Sequence, residues 1–488
     1  MHRPLRLLAD QAFARTAGAP LVEGNAVRLL KDGCENYPCW LDAIKSAQQW
    51  IHFETYILHD DKIGRVFADA LADAARRGVK VRLLVDWFGN LMKTSPRFWR
   101  TLRNAGVDAR SFGYPSIDSP FGWISRDHRK SLIVDGRTAF VSGLCVGDDW
   151  TDDGHEAQRD TGVMIQGPAV ADVEAAFAEA WATTGSTVPL DEMPVQHLIA
   201  PAGNIALRVI ATMPSTWGVF KLDQLVASVA RETLWVTDAY FVGVTAYVNA
   251  LIAAARDGVD VRLLVPGTVD VFGVGAMSRA GYRALLEGGV RIFEWNGVML
   301  HAKTAVADGR WARVGSTNAN INSWWGNWEL DVAIEDEGFG RQMMTMFEND
   351  LANSTEVVLT ARRMHSVHSV ERRRGRRLEE WKTHGRSTRR AAAAGAIRMG
   401  RTFGAVLTAR REVGAAEAYS LFWTSLIFLA IGAVALWWPK AIAYPFGVLG
   451  VWLAVVGLYR AGKLYYQHRR EVQKAPERRE AERQQRVI

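Results

Sequence analysis

The chain has 488 residues, of which 49% are hydrophobic and 23% are charged. This length exceeds that of one domain, and the composition is that of a globular chain, so a lone small module and wholesale disorder are both excluded. The three cysteines, Cys34, Cys39 and Cys145, are too few and too scattered for a disulfide scaffold or a zinc site. We therefore expect two packed domains plus an appendage, in a reducing compartment.

The net charge of +7 is spread unevenly along the chain. Residues 361–488 contain 25 Lys and Arg against 9 Asp and Glu, whereas residues 1–360 contain 34 against 43. A nucleic-acid enzyme usually carries its positive charge on the binding surface. The acidic balance of residues 1–360 therefore argues against a nucleic-acid partner.

The N-terminal segment, residues 1–19, is too polar and too charged for a signal peptide. After it, the sequence ALADAARRGVKVRLLVD at 70–86 recurs as ALIAAARDGVDVRLLVP at 250–266. Each copy predicts an amphipathic helix that ends at a glycine and is followed by a buried strand. Another strand candidate precedes each copy, at 50–58 and at 233–242.

This duplication predicts two similar halves, residues 20–190 and 200–360. Because strands alternate with helices in both, we expect an α/β fold with mixed, mostly parallel sheets that are flanked by helices.

A histidine, a lysine and an aspartate recur with identical spacing in the two halves. They are His128, Lys130 and Asp135 in the first half and His301, Lys303 and Asp308 in the second. Residues two apart on a strand point to the same face, so we expect each histidine and its lysine to project into one pocket. An imidazole can act as a nucleophile or an acid on a phosphate group, while an ammonium balances the charge of the phosphoryl oxygens.

The two HxKxxxxD motifs, with GSTN after the second, resemble those of the phospholipase D superfamily. Residues 10–360 are most similar to bacterial cardiolipin synthases of the B type, on stretches that include RDHRKSLIVDGRTAFVSGL, LLVPGTVD and GGVRIFEW. The resemblance implies that both motifs meet at a pseudo-twofold axis in one active site. It also implies a phosphatidyltransferase that moves a phosphatidyl group from phosphatidylglycerol to a second phosphatidylglycerol through a phosphohistidine. This scheme requires no cofactor and no metal.

Roles for individual residues follow from the resemblance and from their chemistry. His128 is the candidate nucleophile, and His301 protonates the departing alcohol and deprotonates the incoming one, although the near symmetry permits the reverse order. Side chains expected to bind the phosphate oxygens are Lys130, Lys303, Ser142, Ser316 and Asn318.

A nucleophilic imidazole also needs an acceptor that holds its other nitrogen. Alignment of RDTGVMI with WELDVAI pairs Asp160 with Glu329 as the two orienting carboxylates, and Glu156 is a rival for the first. Asp135 and Asp308 belong to the catalytic motif, but we expect them to brace strand ends rather than to transfer protons.

One position departs from the pattern of cardiolipin synthases, which usually keep an asparagine in both halves. Cys145 stands where the second half has Asn318. We expect Cys145 to serve packing, and the missing amide leaves the acceptor less certain than the reaction type.

The tail predicts a membrane anchor. Residues 418–438 and 441–459 carry no charge, and each stretch is long enough to cross a hydrocarbon core of about 30 Å as a helix. Arginines precede the first stretch and follow the second, which places both ends of this transmembrane hairpin, and the catalytic part, on the cytoplasmic side of the bacterial inner membrane. A pair of buried core helices is the alternative.

Two charged segments flank the predicted hairpin. Residues 361–411 hold 15 basic residues and predict a segment on an anionic phospholipid surface, or a solvated linker. Residues 471–488 are typical of a charged, disordered tail.

Other functions use the same residues. Water could resolve the intermediate, which would make the enzyme a phospholipase D-type hydrolase, and another alcohol or phosphatidylethanolamine could replace phosphatidylglycerol. A phosphodiesterase acting on nucleic acid is a remote alternative, as is a membrane scaffold without catalysis. The sequence sets neither the acyl preference nor the oligomeric state.

Overall fold

A computed structural model describes residues 3–115, 124–151, 157–271 and 274–359, together with a few residues between 429 and 455. Both halves belong to one compact unit. Helix α1 (Arg3–Ala17) precedes them and packs its end, through Phe13, Ala17 and Ala19, against the second half.

The two halves repeat one order of elements. The first half consists of β1 (Val22–Lys31), α2 (Asp32–Ser46), β2 (Trp50–Thr55), α3 (Lys62–Arg76), β3 (Lys80–Asp86), α4 (Pro96–Asn104), β4 (Asp108–Phe112), β5 (Ser131–Val134), β6 (Thr138–Ser142), β7 (Thr161–Gln166) and α5 (Val170–Ala182). The second consists of β8 (Ile205–Thr212), α6 (Gly218–Val229), β9 (Thr233–Thr237), α7 (Thr245–Arg256), β10 (Asp260–Pro266), α8 (Val274–Glu287), β11 (Arg291–Trp295), β12 (Thr304–Ala307), β13 (Trp311–Gly315), β14 (Glu329–Glu335) and α9 (Glu337–Ala352). A last strand, β15 (Ser354–Val357), follows α9.

The fifteen strands of the described residues form one sheet, in the order β15-β11-β10-β9-β12-β13-β14-β8-β1-β7-β6-β5-β2-β3-β4. The order of the second half mirrors that of the first, and antiparallel pairing of β1 with β8 joins them. This arrangement has the symmetry of a pseudo-twofold axis at the join.

The expectation of mostly parallel sheets is wrong. Among the described strands, parallel ladders are confined to β2, β3 and β4 and to β9, β10 and β11, where helices connect the strands. The remaining ladders are antiparallel, and tight turns at 135–136 and 308–309 join β5 to β6 and β12 to β13. The sheet is therefore mixed, with parallel outer parts and an antiparallel centre.

The hydrophobic core has three parts. One part packs α2, α3 and α4 against the first half, and a second packs α1, α6, α7 and α8 against the second half. The third is shared, since it contains α5, α9 and the central strands of both halves, including Phe177, Trp181 and Phe347. This shared core fixes the two halves against each other where their chemistry meets.

The strand candidates at 50–58 and 233–242 are longer than the strands observed. β2 ends at Thr55 and β9 at Thr237, and the chain then turns out of the sheet at Tyr56 and near Tyr240. Likewise, β5 begins at Ser131 and β12 at Thr304, so each histidine–lysine pair lies in the extended segment just before a strand, not on it.

The predicted tail segments, 361–411, 418–459 and 471–488, lie outside the described residues except for single positions between 429 and 455. Those positions are helical, and Leu429, Trp437, Tyr444 and Val451 among them are exposed. In the described part of the chain, no helix combines the length and the apolarity needed to cross a bilayer.

Candidate active site

One cavity of about 670 Å³ receives both motif histidines, His128 from the first half and His301 from the second. His128 is 12% exposed and His301 is 9% exposed, so each imidazole meets the cavity from an otherwise buried position. The two imidazoles can therefore act on one bound group.

Backbone pairing between the halves places the histidines. His128 N donates to Trp328 O at 2.9 Å, and Trp328 N donates to Arg126 O at 2.8 Å. On the other side of the axis, His301 N donates to Arg159 O at 2.7 Å, and Arg159 N donates to Met299 O at 2.9 Å. The segment before each histidine thus pairs with the segment before the orienting carboxylate of the opposite half.

Through this pairing, each histidine contacts the orienting carboxylate of the other half. His128 Nδ1 lies 2.8 Å from Glu329 Oε2, and His301 Nδ1 lies 2.7 Å from Asp160 Oδ2. An imidazole that donates from Nδ1 to a carboxylate keeps Nε2 free for chemistry at the cavity. Asp160 occupies the position predicted for an orienting carboxylate, while its rival Glu156 lies outside the described residues.

Two side chains besides His128 hydrogen-bond Glu329. Ser316 Oγ donates to Glu329 Oε2 at 2.6 Å, and Asn327 Nδ2 donates to Oε1 at 3.3 Å. Ser316 Oγ also accepts from Leu330 N at 3.0 Å. The Ser316 hydroxyl therefore contacts the carboxylate, whereas the sequence predicted it as a phosphate ligand.

Asp160 is fixed by a different network. Asp32 pairs with it through two backbone contacts, since Asp32 N donates to Asp160 O at 3.0 Å and Asp160 N donates to Asp32 Oδ1 at 2.9 Å. The buried Arg159 joins Asp32 to Asp350 on α9, with Arg159 Nη2 and Asp350 Oδ2 2.8 Å apart. A Cβ at Gly143 would stand 2.2 Å from Asp160 Oδ1, so only glycine allows the carboxylate to lie there.

Each lysine contacts the backbone of the histidine in its own motif. Lys130 Nζ donates to His128 O, Lys303 Nζ donates to His301 O, and both side chains are buried. Each ammonium has further N–H groups for an anionic oxygen.

A tyrosine stands beside each pair. Tyr56 meets His128 edge to face at a centroid distance of 5.0 Å, and Tyr240 meets His301 in the same way at 5.9 Å. The rings also lie 5.2 Å and 5.9 Å from the ammonium nitrogens of Lys130 and Lys303. These tyrosines were not predicted as site residues, although the alignment of ETY at 54–56 with DAY at 238–240 was the available signal.

Burial and the two ammonium groups set the protonation states. Burial, followed by the charges of Lys130 and Lys303, lowers the pKa of His128 well below its usual value. Burial also lowers the pKa of His301, but there the hydrogen bond with Asp160 opposes the change. The pKa of Lys303 falls to about 8, chiefly through burial.

The two carboxylates differ. Burial raises the pKa of Glu329 to about 7, and the charge of Lys130 only partly offsets this. Burial would also raise the pKa of Asp160, but the hydrogen bond and charge of His301 outweigh it, and the pKa is lowered.

Asp135 and Asp308 do not reach the cavity, so their assignment to the catalytic set is corrected. Both lie at the far end of β5 or β12. Asp135 accepts from the N–H groups of Gln48, Gln49 and Trp50 at 2.7–3.0 Å. Asp308 accepts in the same way from residues 231–233 at 2.8–3.2 Å. Both bind strand ends, which is the role expected for them within the motif.

Of the other predicted phosphate ligands, Ser142 is buried and its Oγ accepts from Leu144 N at 3.2 Å, so it does not face the cavity. Asn318 does line the cavity. Cys145 lines it as well, so the two aligned positions face the same cavity. Burial raises the pKa of the Cys145 thiol, which keeps it protonated.

Fold and site together define an enzyme of the phospholipase D class. A family model described as "Cardiolipin synthase, PLD-like domain" matches residues 40–181 and 226–351, which contain all four residues of the histidine–lysine pairs. The chain belongs to this family.

Curated relatives and a solved structure agree with this assignment. The chain is 32% identical over 348 residues to a cardiolipin synthase of Alkalihalophilus pseudofirmus, with 69% of this chain and 68% of the relative covered. It is 33% identical to cardiolipin synthase A of Pseudomonas aeruginosa over 72% of each chain. The fold resembles that of phosphatidylserine synthase from Haemophilus influenzae, with a TM-score of 0.57, 14% identity, and coverage of 71% and 91% of the two chains.

Proposed function

We propose that the chain is a cardiolipin synthase that transfers a phosphatidyl group from one phosphatidylglycerol to a second and releases glycerol. The observation that carries the proposal is the pair of imidazoles in one cavity, each held at Nδ1 by a carboxylate of the opposite half. The curated relatives that match most of the chain are cardiolipin synthases, which favours this substrate over others.

In the first step, Nε2 of His128 attacks the phosphorus of the donor. The phosphorus–nitrogen bond forms as the phosphorus–oxygen bond to the glycerol headgroup breaks, and Nε2–H of His301 gives its proton to the departing oxygen. We assign the stabilisation of negative charge on the non-bridging oxygens to Lys130 and Lys303, whose ammonium groups donate to the backbone of the two histidines.

In the second step, a hydroxyl of the second phosphatidylglycerol loses its proton to His301 and attacks the phosphorus. The bond to His128 breaks, cardiolipin leaves, and both histidines return to their starting states. No net proton or electron is consumed, and the ping-pong order follows from the covalent intermediate.

The unequal protonation of the two pairs supports His128 as the nucleophile. A nucleophilic imidazole must be neutral, and the pKa of His128 is lowered well below its usual value. An acid must hold a proton, and the hydrogen bond with Asp160 opposes the effect of burial on His301, so the pKa of His301 is lowered less than that of His128.

We further propose that the enzyme works on the cytoplasmic side of the bacterial inner membrane, anchored by a helical hairpin at 418–459. Large apolar side chains support contact with lipid at the cavity. Val271, Met277 and Ile321 line the cavity and remain 48%, 54% and 44% exposed. Next to the cavity residue Lys93, Met92 is 96% exposed.

The test uses purified full-length protein with labelled phosphatidylglycerol in vesicles. We expect cardiolipin and glycerol in equal amounts, and loss of both in His128→Ala. Phosphatidic acid as the sole lipid product would contradict the synthase and would favour the hydrolase.

A second experiment separates the roles of the histidines. Phosphatidyl-p-nitrophenol has a leaving group that needs no proton, so His301→Ala should release one equivalent of p-nitrophenol and retain the lipid on His128. Quenching the reaction and mapping the peptides would identify the residue that carries the phosphatidyl label. A label on a residue other than His128 would overturn the assignment of the nucleophile.

A further inference from the structure

Four polar side chains that line the cavity carry buried atoms with no hydrogen-bond partner in the described part of the chain. The atoms are His59 Nε2, Trp150 Nε1, Gln158 Oε1 and Asn318 Oδ1. A buried polar atom without a partner costs free energy, so a cavity that collects several of them is suited to a polar ligand.

Two of these atoms, those of Trp150 and Gln158, belong to side chains close to His301. The indole of Trp150 meets the His301 imidazole edge to face at a centroid distance of 5.8 Å. Gln158 directly precedes Arg159, whose backbone pairs with that of His301. His301 is also the group that exchanges a proton with the departing and incoming alcohol in the proposed reaction.

The residue in the second half that corresponds to Gln158 makes a different contact. Asn327 stands two residues before Glu329, as Gln158 stands two residues before Asp160. Asn327 donates to Glu329 at 3.3 Å and so supports the carboxylate of His128. The oxygen of Gln158 has no such bond among the described residues and remains available to a ligand.

The chemistry of the four atoms matches hydroxyl groups. An indole N–H only donates, whereas the amide oxygens only accept. An ammonium group only donates and would leave Trp150 without a partner, while each hydroxyl both donates and accepts. A polyol with adjacent hydroxyls can satisfy donors and acceptors together.

We propose that Trp150, Gln158, Asn318 and His59 form a subsite for the glycerol headgroup, which selects a polyol as leaving group and as acceptor. The inference rests on the phosphatidyl transfer proposed above. Departing and incoming alcohols bind at the same place, because the incoming hydroxyl must approach the phosphohistidine where the first alcohol left. A single subsite therefore serves both half-reactions.

The test measures how the phosphatidyl group of phosphatidyl-p-nitrophenol divides between glycerol and ethanol at equal concentrations. This donor carries no headgroup hydroxyl, and the assay does not depend on cardiolipin formation. The wild type should favour glycerol. Trp150→Phe and Gln158→Leu should each lower the glycerol-to-ethanol product ratio about five- to tenfold, the effect of one lost hydrogen bond.

Two matched variants serve as controls. Trp311→Phe removes another buried indole N–H without a partner in the described residues, and Gln224→Leu removes a glutamine on α6; neither side chain lines this cavity. Both should keep the wild-type product ratio. An unchanged ratio in Trp150→Phe and Gln158→Leu would overturn the subsite, and so would a wild type that does not favour glycerol. A wild type that favours glycerol but makes no cardiolipin from phosphatidylglycerol would overturn only the proposed function.

Discussion

Two imidazole–carboxylate pairs with nearly the same geometry differ in the pKa of the carboxylate. Asp160 stays ionised because His301 and Lys303 outweigh its burial, whereas burial dominates at Glu329 and raises its pKa to about 7. When Glu329 is protonated, it donates to His128 Nδ1 and the imidazole proton must move to Nε2. An imidazole that carries its proton on Nε2 has no lone pair there and cannot attack phosphorus. Ionisation of Glu329 is therefore needed for His128 to act as the nucleophile.

This difference predicts the acid limb of the pH profile. Because the pKa of Glu329 is about 7, kcat/KM for phosphatidylglycerol should fall about tenfold per unit as the pH drops below that value. Glu329→Gln removes this ionisation and the control of the tautomer, so kcat should fall roughly 10²- to 10⁴-fold and the limb near pH 7 should vanish. Steady-state kinetics between pH 5 and pH 9 check both outcomes. If the limb persisted in Glu329→Gln, the ionisation would belong to another group.

At the scale of elements, Asp135 and Asp308 explain how the motif builds the central hairpins. Asp135 and Gly136 have φ of 53° and 60°, and Asp308 and Gly309 have φ of 51° and 58°. Positive φ at both central residues defines the type I′ turn, which joins antiparallel strands. The aspartates also bind three consecutive N–H groups of the chain before β2 or β9, which ties each hairpin to the neighbouring parallel strand.

Removal of this contact should affect stability and not chemistry. Asp135→Ala leaves three backbone N–H groups without an acceptor and should lower the free energy of unfolding by about 2–4 kcal/mol. Activity per folded molecule should stay within about threefold of the wild type, in contrast to the loss in His128→Ala. Urea unfolding and a burst titration with phosphatidyl-p-nitrophenol measure the two quantities. A loss of burst rate at unchanged stability would return Asp135 to the catalytic set.

The sequence predicted the elements better than their pairing. The repeated segments at 70–86 and 250–266 revealed the duplication because a whole helix and strand recur, and the helix ends at Gly78 and Gly258 have the expected positive φ. The Asp-Gly turns were a signal for hairpins, but β5 and β12 have only four residues each and show no clear alternation. The crossed carboxylates could not be predicted, since alignment pairs positions within the repeats and says nothing of contacts between them.

On the scale of the whole molecule, the exposed apolar residues at the cavity indicate how the enzyme meets lipid. Lipid substrates must leave the bilayer to reach a buried phosphate site, and apolar contacts at the cavity shorten that path. Met92 and Met277 come from opposite halves, so both halves contribute to this surface.

If the exposed apolar residues contact lipid, a charged substitution there should lower activity on vesicles more than activity on a dispersed substrate. Met92 is 96% exposed, so Met92→Glu removes almost no contact within the protein. It should lower activity on anionic vesicles at least about tenfold, because burial of a Met side chain in lipid contributes about 1.5–3 kcal/mol and a carboxylate is repelled. Leu198→Glu changes another exposed residue, 73% exposed and outside the cavity lining, and should have no effect. Equal losses on vesicles and on a dispersed short-chain substrate would contradict the lipid contact.

The crossed pairs have a consequence for how such an enzyme can diversify. Two identical subunits around a true twofold axis would have to give the attacking and the proton-carrying imidazole the same surroundings, since any substitution would appear on both sides at once. One chain that carries both copies is free of that restriction. In this chain Glu329 is the counterpart of Asp160, and Asn318 is the counterpart of Cys145. Gln158 can bind a ligand while Asn327 donates to Glu329, so each such difference gives one side of the site its own role.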